Sequence, residues 1–318
     1  MRVLVTGGAG YIGSHLCKAL VKAGHFPVVF DNLSVGWRWA VKWGEFFEGD
    51  VRHAADLWRA YQRFAPQCVV HLAAQSNGRE SSLFPKEYYD HNVIGTASIL
   101  KLVEKQRIPY LVFASSCAVY GIPGSGPIGE ECRKEPVHPY GFSKKMAEGM
   151  IEEHGRRVGT RYAILRFFNV AGADLEGEVG EAHDPETHLI PLLIRSGLRK
   201  NRPIPLFFER GSPPVRDFVH VVDAVDAIVC ALKSLVERGR NMIVNIGSGG
   251  GTSVDELITA IEFYLGSSIS YVMAGPPLVR EPLELIADRS QAISTLGWFP
   301  RHSSLETIIH TAITWHSR

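Results

Sequence analysis

Arg2-Val3-Leu4-Val5-Thr6-Gly7-Gly8-Ala9-Gly10-Tyr11-Ile12-Gly13 decides the fold class of this chain. A short β-branched run ends in a glycine turn, after which Ile12, Leu16, Ala19, Leu20 and Ala23 keep helical spacing, so the stretch reads strand, turn, helix. Gly7 suits the tight turn, Gly10 a close approach of backbone to a pyrophosphate, and Gly13 the packing of helix on strand. The helix start then offers unpaired N–H groups and a positive dipole end to phosphates. A merely flexible glycine loop is the plain alternative, and the strand and helix around it argue against that.

Working outward, Pro27-Val28-Val29-Phe30 is a second strand ending at Asp31. A carboxylate there accepts hydrogen bonds from a ribose diol and repels a 2′-phosphate, which favours NAD over NADP, although Arg38 is near enough in sequence to keep NADP open. Gly49-Asp50-Val51 closes another short strand and puts Asp50 where an adenine would lie. Cys68-Val69-Val70-His71-Leu72 runs into Ala73-Ala74, small residues that let a cofactor rest on backbone, while His71 reads as a packed core histidine. Asn92 opens a helix whose stripe of Val93, Ala97, Leu100 and Val103 reads as core or subunit packing. The strand Tyr110-Leu111-Val112-Phe113 then delivers residues 114–121 to its C-terminal end, where open parallel sheets bind ligands.

Tyr140 and Lys144, four apart, share one helical face, where an ammonium can favour a phenolate able to act as a general base on a hydroxyl. A solvated helix face explains the same spacing. That helix runs to about Arg157 and is followed by the strand Tyr162-Ala163-Ile164-Leu165-Arg166. The alternation of strands and helices predicts an α/β fold built on a doubly wound parallel sheet. From Asn169 the rhythm breaks: glycine, proline and charge crowd positions 172–216 around an apolar helix at Leu189 to Leu198. Asp217 to Asp223 reads as a strand with its exit, and Met242 to Ile246 as a strand rejoining the large sheet. Val254, Leu257, Ile258, Ile261 and Leu265 mark one further helix and Leu305, Ile308, Ile309 and Ala312 another. The expected division is a dinucleotide-binding domain over 1–171, with about 217–248 returning to it, and a smaller α/β substrate-binding domain mainly over 172–318.

The 318 residues, 45% hydrophobic and 21% charged, suffice for a large core, and a net charge of +1 speaks against nucleic-acid or anionic-membrane partners. Five cysteines, scattered and odd in number, lack the close pairs of a metal site and the pattern of a disulfide framework, so no metal and a reducing compartment are expected. With no signal-peptide pattern and no apolar run near the roughly 20 residues of a membrane span, a cytoplasmic protein is expected.

In order and spacing, Thr6 to His15, Asp31-Asn32-Leu33-Ser34, Ser115-Ser116 with Val119-Tyr120-Gly121, and Tyr140 with Lys144 resemble the extended short-chain dehydrogenase/reductase family, in particular its nucleotide-sugar epimerases. The likeness continues through Arg166-Phe167-Phe168-Asn169, residues 183–191 and Val215-Arg216-Asp217. It implies a Rossmann domain, NAD held through the whole reaction cycle, and C4 epimerisation of a UDP-sugar through a transient 4-keto intermediate. Tyr140, Lys144 and Ser116 take the catalytic roles, Ser116 bridging tyrosine and substrate oxygen. The cofactor site implied comprises Gly7, Gly10, Tyr11, Ile12, Gly13, Asp31, Asn32, Ser34, Asp50, Val51, Leu72, Ala73, Ala74, Asn92, Ser115, Tyr140, Lys144 and Phe167. Asn169 for the diphosphate, Leu189 for the uracil region through its backbone, Arg216 and Arg280 for phosphate oxygens, and His188 as a further contact complete the substrate side. A surface ion pair with Asp217 is the plain alternative for Arg216, and a turn-forming role for Asn169. The family also implies a homodimer through the helices starting at Asn92 and Gly141.

The departures concern the sugar. Residues 206–214 are shorter than the usual loop, 275–280 lack the usual arginine-plus-Gly-acid run, Phe167 replaces a frequent tyrosine, and Ser76-Asn77-Gly78 an apolar or basic stretch. Leu285 falls at the family's size-gating position. A nucleotide-sugar dehydratase or decarboxylase is the first rival; family dehydratases carry acidic residues after the catalytic hydroxyl, where this chain has Cys117 and Ala118. A non-catalytic NAD-binding module is the second, and it gives no reason for Ser116, Tyr140 and Lys144 to occur together.

Overall fold

The structure, a computed structural model of the chain, describes residues 1–199, 203–209, 211–275 and 281–318. The chain runs from β1 (Arg2–Thr6) through the glycine turn into α1 (Tyr11–Lys22), then β2 (Phe26–Asp31) and β3 (Glu45–Glu48). Next come α2 (Ala54–Phe64), β4 (Cys68–His71), α3 (Gly78–Leu83), α4 (Pro85–Tyr89) and α5 (Gly95–Gln106), the last two joined by a π-helical turn at Asp90–Ile94. β5 (Tyr110–Ser116), α6 (Pro139–Val158) and β6 (Arg161–Phe167) complete the first run.

The central sheet has seven parallel strands, one of which arrives late in the chain. After β7 (Asn169–Ala171), α7 (Leu189–Arg199), β8 (Ile204–Leu206), β9 (Val215–Arg216), β10 (Phe218–His220) and α8 (Val221–Arg238), β11 (Met242–Ile246) joins its edge beside β6. The sheet order is β11-β6-β5-β4-β1-β2-β3. Successive strands step outward from β1 to β3, and β4 then returns to the other side of β1. This reversal opens a crevice at the strand C-termini, the place where doubly wound sheets bind nucleotides. Strands covered on both faces must be apolar throughout. Val3, Leu4 and Val5 of β1 accordingly have no exposure, their side chains alternating between the core under α1 and α8 and the core under α2, α5 and α6. Leu16 and Leu57 anchor these two layers, and cutting either to alanine costs about 2–5 kcal/mol.

The smaller unit is built from α7, α9 (Val254–Leu265) and α11 (Leu305–His316), with short pairs formed by β12 (Thr252–Ser253), β13 (Tyr271–Met273) and β14 (Glu284–Leu285). Its core joins Leu193 and Ile194 to Leu257, Ile261, Ile308 and Ile309. One segment departs from the expected division. Ala292 of α10 (Ser290–Leu296) and Trp298 pack into the larger core, where Trp298 Nε1 donates to the Asp223 carbonyl at 2.9 Å.

Between the two units the chain is tied at one carboxylate. Asp217, without exposure, accepts from the Ser248 amide (2.7 Å) and hydroxyl (2.6 Å) on Oδ1 and from the Gly249 (2.9 Å) and Ala287 (3.1 Å) amides on Oδ2. An arginine partner on the surface is therefore not its role.

Candidate active site

A cavity of about 1450 Å³ lies over the C-terminal ends of β1, β2, β4, β5 and β6 and is closed on its far side by the smaller unit. Gly7, Gly10, Tyr11, Ile12 and Gly13 form its floor at the turn before α1. A Cβ on Gly13 would stand 2.1 Å from the Gly7 carbonyl oxygen, and one on Gly7, whose φ is +72°, 2.7 Å from the Ala73 amide. Only glycine permits this approach of helix, turn and strand exit. Gly10 caps α1 without any side-chain hydrogen bond, and no acidic residue occupies the first turn, so the helix N-terminus keeps its amides and dipole for a phosphate.

Asp31 secures this turn from β2, accepting from the Ala9 amide on Oδ2 and the Leu33 amide on Oδ1, each at 2.9 Å. Burial raises its pKa and these amide bonds oppose the rise. Asn32, Ser34, Val51, Leu72, Ala73, Ala74, Ser115 and Phe167 continue the lining. The set fits a dinucleotide: a bare helix end for the diphosphate, a carboxylate for a ribose diol, and small residues along the path. Arg38 lies outside this lining, exposed and stacked 4.5 Å from the Phe46 ring centroid, which leaves the 2′-phosphate of NADP without that partner.

Two residues expected at the cofactor stand behind the wall. Asp50 is gripped by Arg52 (2.6 and 2.9 Å), which chiefly holds its carboxyl well below the usual range, and it accepts from Asn32 Nδ2 at 3.0 Å. Asn92 does not open a helix; it lies in the π-helical turn, which directs its amide inward. There it accepts from the Gln75 amide (2.8 Å) and donates to the Gln75 carbonyl and the Ser143 hydroxyl (both 2.9 Å). Both residues position lining groups, and their own polar atoms are used by protein.

Ser116, Tyr140 and Lys144 meet at the centre of the cavity. His138 caps α6 by accepting the Gly141 amide at 3.2 Å, Pro139 fixes the first turn, and the His138 ring stacks on Tyr140 at 5.9 Å. Lys144 donates to the Ala114 carbonyl at 2.6 Å, which holds its ammonium 6.0 Å from the centroid of the Tyr140 ring. Burial pushes the phenol up to about 12 against a hydrogen bond from Ser116, and pushes Lys144 down to about 7 against the pull of Glu148. Burial thus drives both groups toward their neutral forms. His71 is the core histidine expected, between the hydroxyls of Thr6 (2.7 Å) and Thr96 (3.2 Å).

Beneath the trio lies a buried charge network that sequence reasoning missed. Arg166 forks onto Glu148 with two 2.9 Å bonds and reaches the Tyr120 hydroxyl at 2.8 Å, while Ser115 donates to Glu148 at 2.6 Å. Glu148, one turn beyond Lys144, thereby fixes α6 against the ends of both β5 and β6. An acidic residue eight positions after the tyrosine was its only local sign.

On the far wall, Asn169, His188, Leu189 and Arg216 line the same cavity. Arg216 points into it, opposite to Asp217, and pairs with Glu281 at 3.3 Å; Arg79, stacked on Phe207 at 4.6 Å, reaches the same carboxylate at 3.4 Å. Arg79 and Glu281 are further site residues that the sequence reading lacked. Arg280 falls outside the described residues. Leu285 is buried beside Cys117 and stands outside the lining. Burial raises the Cys117 thiol to about 12, so at neutral pH it is a protonated packing group.

Residues 3–247 match the NAD dependent epimerase/dehydratase family. A UDP-glucose 4-epimerase of Rhizobium meliloti is 41% identical over 320 residues, spanning 99% of this chain and 97% of that one. The crystal structure of a UDP-glucose 4-epimerase from Brucella ovis in complex with NAD superposes with a TM-score of 0.94 at 42% identity, covering 98% of this chain and 97% of that one. One from Bifidobacterium longum, in complex with NAD⁺ and UDP, gives 0.94 at 28% identity over 100% and 98%.

Proposed function

The chain belongs to the NAD dependent epimerase/dehydratase family, and from that premise we propose that it interconverts the C4 epimers of a UDP-hexose, UDP-glucose and UDP-galactose first, with NAD as its resident cofactor. The observation that carries this reading is the meeting of Ser116, Tyr140 and Lys144 in one cavity with a dinucleotide cradle on one side and Arg216 on the other.

In this reading Gly7, Gly10, Gly13 and the amides of α1 hold the cofactor diphosphate and Asp31 a ribose diol. Bound NAD⁺ supplies a reversible two-electron acceptor for the C4 hydrogen and a cationic ring that favours the phenolate. Tyr140 takes the proton of the 4-hydroxyl and later returns it, Ser116 orients the two oxygens, and Lys144 offsets the phenolate charge. Asn169 and Leu189 hold the nucleotide while the sugar presents either face. Arg216 exchanges Glu281 for a phosphate oxygen, a role suited to its fork of donors. Elimination has weaker support, because the residue after Ser116 is a protonated thiol and Glu281 is already engaged by two arginines.

Purified protein given UDP-glucose without added NAD tests the reading. UDP-galactose forming at equilibrium proportions is expected, and Tyr140→Phe should abolish it. A 4-keto-6-deoxy sugar as the sole product would replace this reading with dehydration. A homodimer belongs to the same proposal: Ile94, Phe142 and Met146 are exposed on or beside α5 and α6, an apolar patch suited to a second copy. Sedimentation as a monomer at micromolar concentration would remove that part. Free cysteines and the absence, among the described residues, of a helix long and apolar enough to cross a membrane accord with a cytoplasmic location.

A further inference from the structure

Glu181, His183, Glu186 and His188 follow one another as Glu-x-His-x-x-Glu-x-His in the segment leading to α7. Each offers one donor atom, and the four atoms lie within 4.8 Å of one another. The two carboxylates are nearly sealed, with side-chain exposures of 5% for Glu181 and 2% for Glu186. Two buried carboxylates facing each other need about two positive charges close by. Two imidazolium protons or one divalent cation would supply them.

The spacing around His183 favours the ion. His183 Nδ1 stands 3.4 Å from Glu181 Oε1 and 3.5 Å from Glu186 Oε1, and among the described residues it has no hydrogen-bond partner although it is buried. Good N–H···O bonds span about 2.7–3.2 Å. Ligands sharing one tetrahedral zinc, with bonds of about 2.0–2.2 Å, sit about 3.3–3.5 Å apart. Glu186 Oε1 takes the amides of Thr187 (3.0 Å) and His188 (3.1 Å), which orients the carboxylate. Among the described residues its buried Oε2 meets no hydrogen-bond donor and pairs with Arg195 at 3.6 Å. His188 Nδ1 is in hydrogen-bond contact with Glu181, closer than two ligands of one ion, so this pair has to open as a metal enters. Trp315 holds the Glu181 backbone carbonyl at 2.9 Å, so the first ligand is anchored from α11. By contrast, the other acidic cluster, Asp174 with Glu176 and Glu178, is already occupied by the Lys18 ammonium.

We propose that Glu181, His183, Glu186 and His188 form a structural site for a divalent transition metal of the zinc class. Two imidazole nitrogens with two carboxylate oxygens suit such an ion, whereas magnesium and calcium favour all-oxygen shells. Four protein ligands leave no open position, so the ion clamps the segment and takes no part in bond making. The clamp sets where α7 begins, and with it Leu189 on the cavity wall. Its success or failure is read from metal content and so is distinguishable from that of the epimerase reading, although it takes His188 as a ligand in place of the substrate contact expected of it.

The full-length protein, treated with EDTA and desalted, is offered a tenfold excess of zinc chloride and desalted again for elemental analysis. One zinc per chain is expected, with a raised melting temperature, and no retention of magnesium offered in the same way. His183→Ala and Glu186→Gln should each weaken zinc binding at least about a hundredfold. Because either variant can misfold, X-ray absorption at the zinc edge of the wild-type protein gives a second readout: four nitrogen or oxygen ligands near 2.0 Å and no sulfur are expected. Uptake below a tenth of an equivalent, equal uptake by a folded His183→Ala protein, or sulfur in the zinc shell would each overturn the proposal.

Discussion

Replacing Lys144 with methionine keeps most of the side-chain volume and removes its charge, which isolates the electrostatic part of the proposed base catalysis. The ammonium lies 6.0 Å from the centroid of the Tyr140 ring. At an effective dielectric of 20 that separation corresponds to about 3 kcal/mol of attraction to a phenolate, or about two pK units. Burial already holds the phenol at about 12, so losing the ammonium raises it further and phenolate becomes scarcer at every pH below that. For a step that needs the phenolate, both pKa values then lie above the assay range, so kcat should fall by about a hundredfold and by nearly the same factor from pH 6 to 10. The assay is a kcat profile from pH 6 to 10 on cofactor-saturated enzyme, with UDP binding followed separately. UDP affinity should be unchanged, since Lys144 is fixed by the Ala114 carbonyl and not by the nucleotide wall. A loss of less than about threefold, or one accompanied by weaker UDP binding, would refute the electrostatic role and leave Lys144 a packing residue.

Other outcomes follow from the same geometry. Gly13→Ala places a methyl 2.1 Å from the Gly7 carbonyl oxygen; a fall in stability of about 1–3 kcal/mol and loss of co-purifying NAD are expected, read by thermal melting and by nucleotide release on denaturation. Glu148→Gln leaves Arg166 buried without its carboxylate and should cost about 3–5 kcal/mol, whereas the double change Glu148→Leu with Arg166→Met should be milder, a contrast that denaturant titration measures. Arg216→Lys loses the planar fork and should weaken UDP binding about tenfold or more in calorimetry while leaving NAD retention intact. Lys144 also predicts how the cofactor-free protein responds to pH. Its folded pKa of about 7 lies below the unfolded value of 10.5, so its burial penalty is full below about pH 7 and fades as pH rises toward 10. Lys144→Met should therefore gain stability relative to wild type as pH falls through that window.

The parts of this molecule that could be read from the chain are those whose cause is local. The glycine turn, its flanking strand and helix, and Asp31 at the next strand end depend on neighbours a few residues away. Tyr140 and Lys144 were legible for the same reason, one helical turn apart. Asn92 and Asp50 were recognised as polar residues in suggestive places, but whether a side chain faces a ligand or protein depends on distant partners. Asn92 is claimed by Gln75 and Ser143, and Asp50 by Arg52 and Asn32. The Glu281 partner of Arg216 stands 65 positions away, and nothing in either neighbourhood announces the other. Ala292 and Trp298 are too few apolar residues to declare which core they enter. The Glu181 to His188 spacing stands in the chain, but only the turn before α7 brings its four side chains together.

Arg216 and Asp217 show how tightly a binding surface can be tied to its scaffold. Adjacent residues of an extended chain face opposite ways, so the guanidinium looks into the cavity while the carboxylate knots two distant segments behind it. Anyone re-tailoring this protein for another nucleotide sugar inherits the consequence. Ser76, Asn77 and Phe207 line the open side, and a library can vary them without touching that knot. Position 217 admits no such freedom: to vary it is to move the arginine, the exit of β11 and the approach to α10 together. The dipeptide is best held constant as a fixed coordinate from which new sugar contacts are measured.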